Sequence, residues 1–466
     1  MNYHLAIDIG ASSGRHILSH VENGKILLEE IHRFENGPVK KGNHLVWDCE
    51  KLFNEIITGL QKCKEAGKIP QSLGIDTWAV DFAVLDENDK LLGDTVCYRD
   101  NRTAGMDTLL FGSIPEENLY KRTGIQKQPF NTIYQLMALR EFEPDLFSRV
   151  KTLLLIPDYL NFLLTGVKVS EYTNASTTQL VSPLTKDWDY GLINILGFPS
   201  DIFCPIKTPT EKLGPLKEDI ARLVGFNLEV VLPATHDTAS AVMAVPSLDN
   251  DTLYISSGTW SLMGTELKEA ILSEESRKLN LTNEGGFDYR FRYLKNIMGM
   301  WMINSLKNEM ARDVSFDTLC SMAAKETIPS IVDANNDRFL APKSMYEEVR
   351  KACKESFQPV PETVFETAAV IYNSLAACYQ RTFFEIEKIT GKTFSKIHIV
   401  GGGSKAEYLN RLTAKVCKRP VLCGPVEATA IGNIAAQMIA FQEFEGLEAA
   451  RKAIFDSFEI TQYEGE

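Results

Sequence analysis

His236 and Asp237 stand side by side in LPATHDTASAV, residues 232–242, an imidazole and a carboxylate inside a run of small and apolar residues. A carboxylate so placed can take a proton from a hydroxyl, and the imidazole can hydrogen-bond a sugar hydroxyl. An isolated Asp at a helix start is commonly only a cap worth about 1 kcal/mol, so the pair alone does not define a site. Ala239, Ser240 and Ala241 follow it and would let a substrate approach the base. A second candidate lies near the start of the chain in DIGASSGR, where Asp8 closes an apolar run and small residues lead to Arg15. Small residues let backbone N–H groups approach a phosphate closely, and a carboxylate at a strand end can hold Mg²⁺ through water. The bland alternative is a plain hairpin.

A similar pattern recurs in DTLYISSGTWSLMGTEL, with Ser256, Ser257 and Gly258 standing where Ser12, Ser13 and Gly14 stand in the first copy. Two such hairpins, one from each half, would clamp a nucleotide's phosphate chain from both sides. IVGGGSKAEYLNRL, residues 399–412, reads as a strand, a Gly-rich turn and a helix start, a geometry that favours an anion or nucleotide. Through Gly401, Gly403 and Ala406, with Glu427 further on, it also satisfies a dinucleotide-binding fingerprint. A dehydrogenase is therefore a rival reading, ranked below a phosphoryl-transfer enzyme that clamps a nucleotide because it leaves the paired hairpins without a purpose. ITGKT at residues 389–393 imitates the end of a P-loop but lacks the upstream Gly and follows a helix.

The elements that must carry these residues read as α/β. The opening is a β-meander with ENGK as a hairpin turn; residues 73–86 and 228–234 are strand-like, 133–150 helical. A long helix runs from Pro361 to Gly391, followed by the strand KIHIV. The spacing of the repeat predicts two related domains, residues 1–246 and 247–466, with the boundary in VPSLDND (245–251) and a shared cleft. The 466 residues carry 44% hydrophobic content and a net charge of −13, which argues against a nucleic-acid partner. No uncharged apolar run approaches a membrane span, and the N-terminus enters a strand directly, so a cytoplasmic protein with a small-molecule substrate is expected. Nine scattered cysteines and seven histidines without ligand spacing predict packing thiols and no structural zinc site.

DIGASSGR, GIDTWAVDF, CYRDNRT, IPDYLNFLLTG, EYTNASTTQL, THDTASAV, SSGTWSLMGTE, TNEGG, LKNIMGMW and VGGGS together resemble the FGGY carbohydrate kinase family over nearly the whole chain. The resemblance implies two ribonuclease H-like domains of the actin/hexokinase type around a central cleft. It also implies MgATP-dependent phosphorylation of the C1 hydroxyl of L-rhamnulose, by a monomer or homodimer, with L-fuculose and L-xylulose as competing ketoses. Carried onto matching positions, Asp237 looks like the general base, with His236, Thr238, Asn296 and Ala79 on the sugar. Ala11, Ser12, Ser13, Gly14, Arg15, Thr259, Asn304 and Gly402 look like ATP contacts, and Asp8 like the carboxylate near Mg²⁺. Relatives read Gly where this chain has Ala79 and Gln where it has Asn304, so an extra methyl would trim the sugar pocket and a shorter amide would lengthen an ATP contact. A non-catalytic nucleotide sensor on the same actin-like fold is the remaining alternative.

Overall fold

The computed structural model describes residues 1–249, 251–340 and 342–465. Asn250, inside the expected boundary stretch, and Glu466 lie outside them. The chain forms two compact units: Met1–Pro246 with Glu266–Tyr293 and Thr429–Ser457, and Ser247–Thr265 with Leu294–Ala428 and Phe458–Glu466.

The first unit opens with β1 (Tyr3–Ile9), β2 (Ser13–Glu22) and β3 (Lys25–Glu35). Asn23 and Gly24 make the tight turn between β2 and β3 with φ of 51° and 76°, as an Asn-Gly hairpin requires. Helix α1 (Cys49–Glu65) leads to β4 (Pro70–Thr77), and later β5 (Lys212–Pro215) and β6 (Glu229–Val231) complete a sheet ordered β5-β6-β4-β1-β2-β3. The side-chain period of two sorts its faces. Leu5, Ile7 and Ile9 with Leu73 and Ile75 pack in one core with Leu52, Ile56 and Leu60 of α1. Ala6, on the other face, packs against a helix contributed by the end of the chain. The short α2 (Asp237–Met243) follows β6.

The second unit repeats the plan. Strands β7 (Thr252–Ser257) and β8 (Ser261–Leu267) pair antiparallel. Beyond them come α3 (Trp301–Met310), α4 (Val364–Thr390), β9 (Lys396–Val400), α5 (Glu407–Cys417), β10 (Val421–Cys423) and β11 (Thr461–Tyr463). β7 is parallel to β9 and β9 to β10, while β10 pairs antiparallel with β11. In the first unit β1 is likewise antiparallel to β2 and parallel to β4, β4 parallel to β6, and β6 antiparallel to β5. The internal duplication expected from the hairpins thus extends to five consecutive strands of each sheet, β2-β1-β4-β6-β5 and β8-β7-β9-β10-β11. The chain then returns to the first unit with α6 (Ala428–Ala440) and α7 (Leu447–Ser457).

Three local expectations change. The 133–150 helix ends at Phe142, because Glu143 precedes Pro144 and leaves the helical region. The 73–86 strand is two strands, β4 and Phe82–Leu85, separated by a turn at Val80. The long helix is entered through a capping box of Thr363 and Glu366 rather than at Pro361. Gly391 caps its end in the left-handed region, so ITGKT is a helix C-terminus and no P-loop. All nine cysteines are buried and unpaired, as expected of packing thiols.

Candidate active site

Asp8 comes from the C-terminal end of β1, where the register sets it opposite Arg15 on β2 and Asp76 on β4. Arg15 donates twice to one oxygen of Asp8, from Nε at 3.0 Å and from a terminal nitrogen at 2.7 Å. Asp76 is fully buried; one of its oxygens accepts from Asn433 Nδ2 at 2.6 Å and the other has no partner among the described residues. Loss of hydration, then the charge of Asp8, holds the Asp76 carboxyl well above the usual carboxylate range, with Asp237 adding to the shift. Its partner Asn433 belongs to a directed polar chain: Ser72 donates to Gln437 at 2.6 Å, Gln437 to Asn433 at 2.7 Å, and Asn433 to Asp76. Gly74 is required between them, because a Cβ there would meet the Asn433 side chain at 2.5 Å.

Asp237 is the first residue of α2, after His236 at the cap position, so it is not the helix cap. Thr77 N–H donates to Thr235 C=O at 2.9 Å and ties this loop to the end of β4. From the other side Glu171 accepts from Thr235 N–H at 3.0 Å and from its hydroxyl at 2.8 Å. The Asp237 side chain is 34% exposed, yet burial of the carboxyl among protein groups, then Asp8, pushes it up to about 7. Hydrogen bonds from Thr238 oppose the shift, through its N–H at 2.5 Å and its hydroxyl at 3.1 Å. A carboxyl with that value is half ionised near neutrality, the condition that suits a general base. His236 is buried, and desolvation followed by the charge of Arg292 drives its ring well below the usual imidazole range.

The small residues after the pair do not provide clearance. Ala239, Ser240 and Ala241 are buried, and a Cβ added at Gly432 on α6 would lie 1.8 Å from the Ser240 carbonyl. They are small because two helices pack backbone to backbone there.

Ala79 is half-buried and opens a tight three-residue turn in which Asp81 N–H donates to Ala79 C=O at 2.9 Å. Val80, at its centre, has φ of 69°, a strained conformation for a β-branched residue. Thr132 hydroxyl holds the Val80 carbonyl at 2.7 Å. Asp81 anchors the turn from below: the indoles of Trp47 and Trp78, their ring centres 4.0 Å apart and their planes inclined by 35°, donate to it at 2.6 and 2.9 Å. Gln135 donates to its other oxygen at 2.8 Å. Burial pushes the Asp81 carboxyl up to about 6, against the pull of these donors.

The first phosphate-type turn spans Gly10 to Ser12, closed by Gly10 N–H to Ser13 C=O at 2.9 Å and braced by Asn36 on Gly10 C=O at 2.8 Å. Ala11 is half-buried, Ser12 and Ser13 are exposed, and Gly14 is buried under the Phe34 ring, 2.1 Å from where a Cβ would stand. In the second unit the turn is Gly258–Trp260, with Ser257 already paired to Ser261. The two SSG stretches are therefore offset: Ser256 matches the position of Asp8 rather than that of Ser12, and the second hairpin carries no carboxylate there. Met300 N–H donates to Gly258 C=O at 3.2 Å and Trp301 N–H to Thr259 C=O at 3.0 Å, which sets half-buried Thr259 on the start of α3, the helix of half-buried Asn304. Half-buried Asn296 lies in the strand Phe291–Ile297. Ser257 also supports the Gly401–Gly403 turn, since a Cβ at Gly403 would fall 1.9 Å from its hydroxyl. Gly402 is exposed with open space over its Cα, so a ligand can lie against its backbone.

The structure thus brings Asp8, Arg15, His236, Asp237 and Thr238 into the first unit with Ala79, and Thr259, Asn296, Asn304 and Gly402 into the second. Asp76, Asp81, Glu284 and Arg292 were not singled out by the sequence. Among the described residues no three His, Cys, Asp or Glu side chains are grouped to hold a metal ion. Asp8 and Asp76 stand opposite each other on β1 and β4, carboxylates of the kind that would hold Mg²⁺ through its waters when phosphates supply the other ligands.

Residues 3–244 match the N-terminal domain, and residues 253–441 the C-terminal domain, of the FGGY family of carbohydrate kinases. A rhamnulokinase of Halalkalibacterium halodurans is 52% identical over 99% of both chains. One from Bacillus subtilis is 41% identical over 98% of this chain and 94% of its own. Among solved structures, a xylulose kinase from Lactobacillus acidophilus superposes with a TM-score of 0.82 at 17% identity, covering 100% of this chain and 94% of the other. A glycerol kinase from Plasmodium falciparum follows at 0.78 and 14%, covering 100% and 95%.

Proposed function

The chain belongs to the FGGY family of carbohydrate kinases, and on that premise we propose that it transfers the γ-phosphoryl group of ATP to the C1 hydroxyl of L-rhamnulose, giving L-rhamnulose 1-phosphate and ADP. The observation that carries the reaction type is Asp237, a carboxyl raised to about 7 at the start of α2. The 52% identity to a rhamnulokinase over the full chain supports the choice of sugar.

Asp237 accepts the C1–OH proton as that oxygen forms its bond to the γ-phosphorus, and the bond to the β-γ bridging oxygen breaks to release ADP. His236, Thr238, Asn296 and the Ala79 turn hold the ketose. The backbone of Ala11 to Gly14, with Arg15, Thr259, Asn304 and Gly402, holds the nucleotide. Mg²⁺, when bound with the nucleotide, supplies charge neutralisation at the phosphates, and Asp8 is the carboxylate assigned to its water shell. Residues 1–246 carry the base, most of the sugar contacts and the first phosphate turn, and 247–466 add Thr259, Asn304 and Gly402 to the nucleotide site. The methyl of Ala79 narrows the sugar side, and Asn304 reaches less far than a Gln.

A coupled ADP-release assay with L-rhamnulose, L-fuculose and L-xylulose tests the reading. L-Rhamnulose is expected to give the highest kcat/KM. A higher value on another ketose would reassign the substrate, and ATP binding without sugar-dependent ADP would leave only a nucleotide sensor.

A further inference from the structure

Arg292, at the start of the strand Phe291–Ile297, is fully buried. Its Nε donates to Gly285 C=O at 2.8 Å, and a terminal nitrogen lies 3.0 Å from His236 Nδ1 and 3.1 Å from Glu284 Oε2. A guanidinium only donates, so the Nδ1 it meets is the bare lone pair. The single proton of the ring then sits on Nε2, which lies 3.4 Å from Asp237 Oδ1. A proton on Nδ1 would face the N–H of a cation.

We infer that Arg292 is the positioning residue that holds His236 as an uncharged ring with its hydrogen on Nε2, so that the ring offers a sugar hydroxyl a donor without neutralising Asp237. The inference rests on the proposed sugar contact of His236. A charged imidazole 3.4 Å from Asp237 would form an ion pair with it and remove the base from use. The charged groups around the ring are Arg292, Glu284 at 3.5 Å from Nδ1, and Asp237, with Glu171 behind Thr235. The two nearest carboxylates favour a protonated ring; burial and Arg292 outweigh them, since the net displacement is downward. Glu284 offsets the charge of Arg292, which fits the Arg-Glu pair being retained in a buried position.

The deciding experiment is ¹⁵N imidazole NMR of the full chain with labelled histidine, the His236 signals assigned by their loss in His236→Gln. The wild type is expected to show an unprotonated Nδ1 and a protonated Nε2 with no titration between about pH 5.5 and 8. A His236 that titrates near the ordinary imidazole value, or carries its proton on Nδ1, overturns the inference, and this readout needs neither a substrate nor an Arg292 variant. In Arg292→Met the ring is expected to titrate within that range, and KM for the ketose to rise roughly tenfold at pH 6 but less at pH 8, with KM for ATP unchanged. Arg292→Lys should restore part of both effects. A rise in KM equal at both pH values would reduce Arg292 to a structural role. If no ketose is turned over, the substrate reading fails while the spectra still decide the tautomer.

Discussion

At the scale of single residues, the carboxyl of Asp237 sets the working pH range. Burial and Asp8 raise it from 3.8 to about 7, so the protonated, unusable form predominates below that value. kcat/KM for the sugar is expected to fall about tenfold per pH unit below pH 7 and to level off above it. Asp237→Asn should cut turnover by about 10²-fold or more, abolish that acid limb and leave the fold intact. A rate profile flat from pH 5 upwards in the wild type, or near-normal turnover in the folded variant, would remove Asp237 from the base role. Because its native value is raised, ionisation of this group costs stability as pH rises through 7, so the Asn variant should be no less stable than wild type at pH 8. His236 and Asp237 stood out in the sequence because their types are adjacent and chemically pointed. Arg292 did not, since its meaning lies in a ring 56 positions earlier and no local pattern announces such a meeting.

At the scale of elements, glycines mark two different demands. Gly432 lets α6 sit on the backbone of α2, and the Cβ of Gly432→Ala would stand 1.8 Å from the Ser240 carbonyl. That variant is expected to lose about 2 kcal/mol or more, read as a lower Tm and denaturation midpoint. Gly402 has open space around it, so Gly402→Ala should leave Tm unchanged while raising KM for ATP severalfold. A stable Gly432→Ala, or a Gly402→Ala with ordinary ATP affinity, would undo the respective argument. Hairpins, the Asn23-Gly24 turn and the long helix were legible because their signals are local: an Asn-Gly pair suited to positive φ, and a helix-length run ended by Gly391. The Val80 turn was not, because it is imposed on an apolar stretch from outside by Thr132, Gln135 and the two indoles on Asp81. The small residues of α2 were legible as a pattern but misread in purpose, since close helix packing and room for a ligand call for the same residue types.

At the scale of the whole molecule, the first unit is not a continuous half of the chain. Ala430, Ile434 and Met438 of α6 close one core cluster with Ala6 and Ile17, and Asn433 and Gln437 satisfy the polar groups of β4. A fragment of residues 1–246 therefore exposes apolar surface on its sheet and leaves buried Asp76 without Asn433. It is expected to be aggregated or partly folded by circular dichroism and hydrogen exchange, whereas adding residues 266–293 and 429–457 in trans should restore order. A fragment that folds cooperatively alone would contradict this. The duplicated hairpins made two related domains readable. They could not reveal that the chain crosses between units, because the residues of α6 that complete β1 and β4 carry no mark of their destination.

That late helix also places a delay in the making of the protein. Translation proceeds at ~5–20 residues per second, so the sheet that bears Asp8 and Asp76 waits roughly 10–40 s after residue 246 emerges before α6 can cover it. During that interval a nascent chain has both carboxylate strands and the core between its sheet and α1, but Ala6 and Ile17 on the opposite face lie uncovered and Asp76 lacks Asn433. Premature termination anywhere before Thr429 would yield chains that stay open to chaperones and proteases instead of partly active kinases, which ties phosphoryl transfer to completion of synthesis.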